Sequence, residues 1–363
     1  MKDPAFAFLV HPRNLNDVYI KFPFLRFLPR SFVYFLLTKM PPVLVSRIKG
    51  LRDREGKPVG GYVISIPLTA KQMIENRTLA VKKMIEAVRF AKKRGVAIIG
   101  LGALTASLSR GGIDLANKEK EMGFTTGRAY TVKTVTDYVK NVIGEFNFNK
   151  TKVKIAIVGA AGSIGSGCAA LLSEWGIDNF LLIDLERKLP DVENKIKEIH
   201  SRVSHDRLTI KKSHHIGDVN MADIIITATN APEVVLRGTD VQSGAIIIND
   251  AQPSDIAPDV YDRDDVLVIE GGVISTPGIR THFNFGLAHH EEAFCCLGEV
   301  LVLAHNGLFS TFTIGNLEKK YIEDIEKISE QLHFSITKYQ NEFGYIDPER
   351  IFHVKKIISR RGT

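Results

Sequence analysis

The 363-residue chain has three cysteines, one tryptophan and no long uninterrupted apolar run, and each shortage removes a class of protein. Three thiols, two of them adjacent at Cys295 and Cys296, cannot build a disulfide framework. Neighbours on one helix do not readily bridge, so reduced thiols and a cytoplasmic setting are expected. No Cys/His cluster has zinc spacing, so no metal centre is expected. Only eight uncharged residues lie between Arg30 and Lys39, and the longest uncharged run, the 19 residues Ile155 to Ser173, is broken by four glycines and three serines. A spanning helix needs ~20 consecutive apolar residues, and no signal peptide is legible. Low-complexity tracts are absent too, and 44% hydrophobic with 25% charged residues is the composition of an ordinary folded chain.

What is present is unevenly placed. The net charge is +7, and all of it falls within residues 1–60, where eleven Lys/Arg face four Asp/Glu; the other 303 residues carry 37 of each sign. Seven of the 20 Phe lie in the first 40 residues, interleaved with Arg26, Arg30 and Lys39. Such a surface suits an acidic partner or anionic lipid heads, so peripheral membrane contact is one expectation and a hydrophobic docking face inside the protein is the other. Nucleic acid is not among the expected partners.

Along the chain, Ala5–Val10, Val43–Ile48 and Tyr62–Ile66 read as strands. Ile74, Thr78, Val81, Ile85 and Val88 recur at helical spacing within one helix from Ala70 to Lys93, which Gly95 ends before a buried strand at Val96–Leu101. A second helix spans Thr131–Phe146, and a polar hinge at Asn147–Lys152 marks a boundary. Downstream, Lys154–Val158, Phe180–Ile183, Asp223–Thr227, Ala245–Asn249 and Val266–Glu270 are short Val/Ile/Leu strands separated by helix-length segments. The expected fold class is therefore α/β: a Rossmann, doubly wound parallel sheet with a second, smaller α/β domain and C-terminal helices. The expected domains are 1–150 for substrate, 151–285 for a dinucleotide, and 286–363 as a helical segment carrying Cys296, with one long C-terminal helix (Ile322, Ile325, Ile328, Leu332) packing back on the first domain.

The strand Lys154–Val158 runs into Gly159-Ala-Ala-Gly162-Ser-Ile-Gly165, followed by helix formers. The first glycine allows the tight turn, the second lets backbone N–H groups approach a pyrophosphate, and the third lets helix pack on strand. Gly159, Ala161, Gly162, Ser163, Ile164 and Gly165 are thus candidate NAD(P)H contacts. Asp184, ending the next strand 25 residues after Gly159, would accept from ribose hydroxyls and favours NADH; Arg187 and Lys188 could still neutralise the 2′-phosphate of NADPH. Later strand ends, Thr227–Pro232, Asn249–Pro253 and Glu270–Val273, would wall the nicotinamide, with Thr229, Asn230, Ala231, Gly271 and Gly272 as candidate contacts. Asp250 reads as a capping or turn residue.

Glu291–Ala304 reads as a helix, with Cys296 one turn before Glu299; taken alone, Cys296 is a core residue. The stretches Gly100-Leu-Gly-Ala-Leu-Thr-Ala-Ser107, Thr125-Thr-Gly127, Gly159–Ser166, Glu270-Gly-Gly-Val-Ile274 and Phe294-Cys-Cys-Leu-Gly-Glu299 together resemble the fatty-aldehyde-forming long-chain acyl-(acyl-carrier-protein) reductases, whose relatives are often labelled predicted amino-acid dehydrogenases. The resemblance implies Cys296 as the nucleophile that takes the acyl group as a thioester, Glu299 as its partner, and Thr105, Ser107, Thr125 and Thr126 along the substrate cleft. It also implies acyl carrier protein or acyl-CoA as the substrate carrier. Cys295 stands where relatives tend to have alanine. Asp184, Arg110–Leu115 and Arg128 depart from the family's commonest forms.

Two other readings are open. Ile66-Pro-Leu-Thr-Ala-Lys71 faintly resembles the lysine loop of shikimate-type dehydrogenases, which would make Lys71 the acid/base of an amino-acid or hydroxy-acid dehydrogenase without a covalent step. A non-catalytic NAD(P)-sensing module docking on membranes would use the basic N-terminus and Lys355, Lys356, Arg360 and Arg361. His289 and His290 read as surface or helix-start residues.

Overall fold

Short runs of β-branched and apolar residues become the strands of two six-stranded sheets. In the computed structural model, which describes residues 5–203, 206–231, 233–251, 254–283 and 285–361, the first sheet contains β1 (Phe6–Val10), β2 (Val43–Lys49), β3 (Gly61–Ser65), β4 (Ile98–Leu101) and β5 (Gly123–Thr125), plus the edge strand Arg280–Thr281. The order is Arg280–Thr281, β2, β3, β1, β4, β5. β3, β1, β4 and β5 run parallel, and β2 and the edge strand are antiparallel to their neighbours. β1 is buried along its whole length, which is why its sequence is continuously apolar rather than alternating.

The second sheet holds β6 (Lys154–Val158), β7 (Asn179–Ile183), β8 (Thr209–Ser213), β9 (Ile224–Thr227), β10 (Ile246–Asn249) and β11 (Leu267–Glu270). It is parallel throughout, in the order β11-β10-β9-β6-β7-β8. The chain winds outward in both directions from the β6/β9 pair, the order of a doubly wound dinucleotide fold. The expected α/β class holds.

The chain forms two compact units: Met1–Tyr130 with Thr276–Phe285 and His289–Phe334, and Thr131–Ser275 with Gly286–Ala288 and Ser335–Thr363. In the first, Ala7, Leu9, Ile64, Ile99 and Phe124 of the sheet meet Met84, Ala87, Val88 and Ala91 of the helix Arg77–Lys92. In the second, Val158, Ile225, Ile247 and Val268 share a core with Val260 and Tyr261.

Three helical expectations change. The helix foreseen over Ala70–Lys93 is two, Ala70–Glu75 and Arg77–Lys92, because Asn76 leaves helical geometry and its side chain accepts from Leu79 N–H as the cap of the second. The helix foreseen from Glu291 begins only at Cys295; Glu292–Phe294 is extended, so His289 and His290 stand outside it. The C-terminal helix foreseen through Leu332 stops at Ser329, where a 3₁₀ turn at Glu330–Leu332 and a left-handed His333 end it, and a further helix, Pro348–Arg361, follows.

Candidate active site

Cys296 is the second residue of the helix Cys295–His305 and is partly exposed, whereas Cys295 and Cys168 are buried; all three are thiols. The helix lies against β4 and β1, and a Cβ at Gly100 would sit 3.0 Å from Val300. The positive end of a helix dipole favours negative charge on a group in the first turn. Burial pushes the Cys168 thiol well above its ordinary range, with Asp250 adding to the effect.

One turn on, Glu299 is fully buried and its carboxylate is surrounded by donors. Oε1 accepts from the Thr125 and Thr313 hydroxyls and from Gly127 N–H at 3.1 Å, and Oε2 accepts from Tyr130 N–H at 2.9 Å. Gly127 immediately precedes the helix Arg128–Glu145 and Tyr130 lies in its first turn, so Glu299 supplies from 172 and 169 residues away the anion that a local cap usually provides. Burial raises the Glu299 carboxyl above the usual carboxylate range, and the four donors pull it back. The Thr126 and Phe312 amides bond to Thr313 O and Phe124 O, which holds residues 311–313 beside β5. Thr313, which no motif singled out, is the hub of this cluster.

The cluster fixes the loop that faces the cysteine. Gly127 has φ +80°, and a Cβ there would lie 2.2 Å from Cys296 Cα and 2.5 Å from its Cβ. Left-handed strain and overpacking together predict that Gly127→Ala loses about 2–4 kcal/mol, a fall in Tm of roughly 5–15 °C by calorimetry. An unchanged melt would contradict the close approach.

The other hydroxyls foreseen along the substrate cleft have their own partners. Thr105 is buried and donates to Gly102 O, Ser107 is exposed and donates to Leu104 O, and Thr126 is buried on Thr313. His11, just past β1, carries no local sequence signal of its role. Its Nδ1 bonds Pro12 O, its Nε2 accepts from Leu104 N–H at 3.3 Å, and burial holds it below the ordinary histidine range, which together describe a neutral ring anchoring the Gly100–Ser107 turn. Lys71 is exposed on the helix Ala70–Glu75, with Nζ 3.7 Å from Glu75.

In the second unit, Gly159 (φ +86°) turns the chain out of β6, and a Cβ at Gly165 would sit 2.6 Å from Gly159 O, so helix Ser163–Glu174 packs close to the strand only with glycine there. Gly162 caps that helix without a side chain. The turn therefore offers backbone N–H groups at a helix N-terminus, a cradle that fits a pyrophosphate. Asp184 closes β7; its carboxylate accepts from Ala161 N–H and Leu185 N–H at 2.8 Å each, and Lys188 Nζ is 3.8 Å away. Thr229 donates to Asp255 and accepts from Ala231 N–H, and Asn230 is exposed. A Cβ at Gly271 would strike Ile248 at 2.5 Å and one at Gly272 would strike Asp250 at 2.6 Å, so both glycines answer to the protein's own packing. Pro232, Gln252 and Pro253 of the foreseen walls lie outside the described residues.

Asp255 is fully buried, and its Oδ1 has no hydrogen-bond partner among the described residues. Burial raises its carboxyl; Asp250 is raised well above the usual range by burial and by the charges of Glu270 and Asp255. The folded state holds these protons where the unfolded chain has released them. Their contribution is fully present below the ordinary carboxylate range and is lost as pH rises through the raised values. Tm is expected to fall as pH rises above the ordinary carboxylate range, and Asp255→Asn to flatten that fall in a pH series of thermal melts; identical slopes would count against it.

A family profile described as Shikimate / quinate 5-dehydrogenase matches residues 142–270. The chain is 24% identical over 307 residues to the aminotransferase PigE of a Serratia species, covering 83% of this chain and 35% of PigE, so it spans about a third of that relative's length. It is 22% identical over 304 residues to the long-chain acyl-(acyl-carrier-protein) reductase of Synechococcus elongatus, covering 80% of this chain and 85% of the reductase. Among solved structures it is similar to the NAD-dependent malic enzyme of Thermotoga maritima, at 13% identity over 98% of this chain and 84% of that one, with a TM-score of 0.43. The profile match spans all six strands of the second sheet and agrees with its Rossmann strand order.

Proposed function

We propose that the chain reduces a long-chain fatty acyl thioester, carried on acyl carrier protein or coenzyme A, to the fatty aldehyde by way of an acyl-cysteine at Cys296. The observation that carries this reading is the investment of a buried carboxylate and four donors in fixing the Thr125–Tyr130 loop, whose Gly127 has no room for a side chain beside Cys296. Core packing of a thiol needs no such device.

In the first step the Cys296 sulfur attacks the thioester carbonyl; the C–S bond to the carrier breaks, the new C–S bond forms, and the thiol proton leaves with the carrier thiol. Thioester exchange is balanced in this way without a net oxidant or base. Glu299 acts as a positioning residue. Its lone pairs face Thr125, Thr313, Gly127 and Tyr130, so its part is to hold the loop rather than to draw the proton. Thr105, Ser107, Thr125 and Thr126 remain the proposed border of the acyl site.

NADH or NADPH supplies a hydride when bound. In the proposal Gly159, Ala161, Gly162, Ser163, Ile164 and Gly165 hold its pyrophosphate, Asp184 turns to its ribose, and Thr229, Asn230, Ala231, Gly271 and Gly272 border its nicotinamide. One sequence match favours this reading over a non-covalent dehydrogenase using Lys71: the acyl-(acyl-carrier-protein) reductase, matched over 85% of its length. The exposure of Lys71 argues the same way. Intact-mass spectrometry of the full chain mixed with a long-chain acyl-CoA, without nicotinamide, tests it. Gain of one acyl mass that requires Cys296 supports the proposal, and no gain overturns it.

A further inference from the structure

Between β1 and β2 the chain folds into two short helices, Leu15–Lys21 and Arg30–Lys39, joined by the 3₁₀ turn Pro23–Phe27. Leu15, Val18, Tyr19, Leu25, Val33 and Leu37 are buried together as a small core that gives the segment a fixed shape. What remains outside is unusual for a surface in water: Phe27 is 90% exposed, Ile20 74% and Phe24 64%, with Phe32 and Phe35 also exposed. On the helix Arg30–Lys39 the buried Val33 and Leu37 alternate with the exposed Phe32 and Phe35 at helical spacing.

Charge gives this apolar surface a direction. From Ile20 to Met40 the sequence contains Lys21, Arg26, Arg30 and Lys39 and no Asp or Glu. None of the four cations is paired with a carboxylate among the described residues. Arg26 lies over the ring of the core residue Tyr19 at 5.9 Å, and Lys39 lies over the exposed Phe35 at 5.5 Å, so a cation and an exposed aromatic share one surface at Lys39. A folded protein partner would have to supply pockets for several protruding rings. A layer that is soft and apolar beneath a negatively charged face accepts them without matching shapes.

We propose that this segment docks the chain on an anionic lipid bilayer, with Phe24 and Phe27, aided by Ile20, Phe32 and Phe35, entering the boundary between headgroups and acyl chains while Lys21, Arg26, Arg30 and Lys39 meet lipid phosphates. The inference uses neither Cys296 nor a nucleotide, so it stands or falls apart from the thioester reading.

The test is co-sedimentation of the full chain, without substrate, with vesicles of phosphatidylcholine alone or mixed with an equal part of phosphatidylglycerol, at about 50 mM and about 500 mM salt. The wild type should favour the anionic vesicles by ~10-fold or more at low salt and lose most of that preference at high salt. Phe24→Ser/Phe27→Ser should weaken partition by ~10-fold or more, and Arg26→Glu/Arg30→Glu should erase the preference for phosphatidylglycerol, each with an unchanged circular dichroism spectrum since these side chains lie outside the small core. Absence of wild-type binding to both vesicles overturns the proposal, as does a phenylalanine variant that partitions like the wild type. If vesicles are ignored while an acidic carrier protein binds and the same variants lose it, the surface belongs to a protein partner and the bilayer assignment is wrong.

Discussion

Replacing Cys296 with alanine is expected to abolish acyl-enzyme formation, leaving the intact mass unchanged after incubation with a long-chain acyl thioester, and to lower thioester reduction by ~10⁴-fold or more, as loss of a covalent nucleophile does. Cys295→Ala should stay within about threefold of the wild type, because its buried sulfur fills space in the helix core. The pair of variants separates chemistry from packing: adjacent residues on one helix share the local backbone, and only one is partly exposed. Equal loss in both would point to disruption of the helix start. Full acylation of Cys296→Ala would put the acyl group on another nucleophile and overturn the assignment of Cys296, whereas no acylation of the wild type would leave the non-covalent dehydrogenase in its place.

Glu299→Ala is expected to have the largest effect on stability. It leaves two hydroxyls and two backbone N–H groups inside the protein without their acceptor, and opening a buried polar cluster of this kind costs about 3–5 kcal/mol. At 2–4 °C per kcal/mol for a unit of this size, Tm should fall by roughly 6–20 °C. Glu299→Gln keeps the shape but turns an NH₂ group toward donors, so a loss of about 1–3 kcal/mol is expected. Kinetics then separate positioning from proton transfer. If Glu299 positions the loop, Glu299→Gln lowers the acylation rate while the shape of its pH profile is retained. Loss of a limb of that profile would instead make the carboxyl a proton carrier.

Much of the fold is written locally. The strand Lys154–Val158 and the glycine turn after it were legible because a β-branched run, three glycines and a run of helix formers each carry a short-range signal. The helix Arg128–Glu145 starts three residues before the Thr131 that the local sequence indicates, since its first turn is stabilised by Glu299 and nothing near Arg128 advertises a start. The role of Thr313 was invisible for the same reason: its partners Thr125 and Thr126 lie 188 and 187 residues away. Gly127 shows the opposite case. Its motif carries the family resemblance, but only the approach of Cys296 explains why no other residue suits the position. Asn76 could have been read as a break, because its side chain competes for backbone N–H groups, yet the apolar stripe running through it was the stronger pattern.

The discontinuity of the first unit sets an order of assembly. Its sheet begins at Phe6 but gains its last edge only at Arg280–Thr281, and the hydroxyl that completes the carboxylate cluster belongs to Thr313. The parallel sheet of the second unit has all six strands once Glu270 has been made. On a ribosome working from the N-terminus, the sheet that is begun first is therefore closed last, and a stall or truncation between residues 270 and 313 would release a nascent protein with one whole parallel sheet and one unsealed sheet.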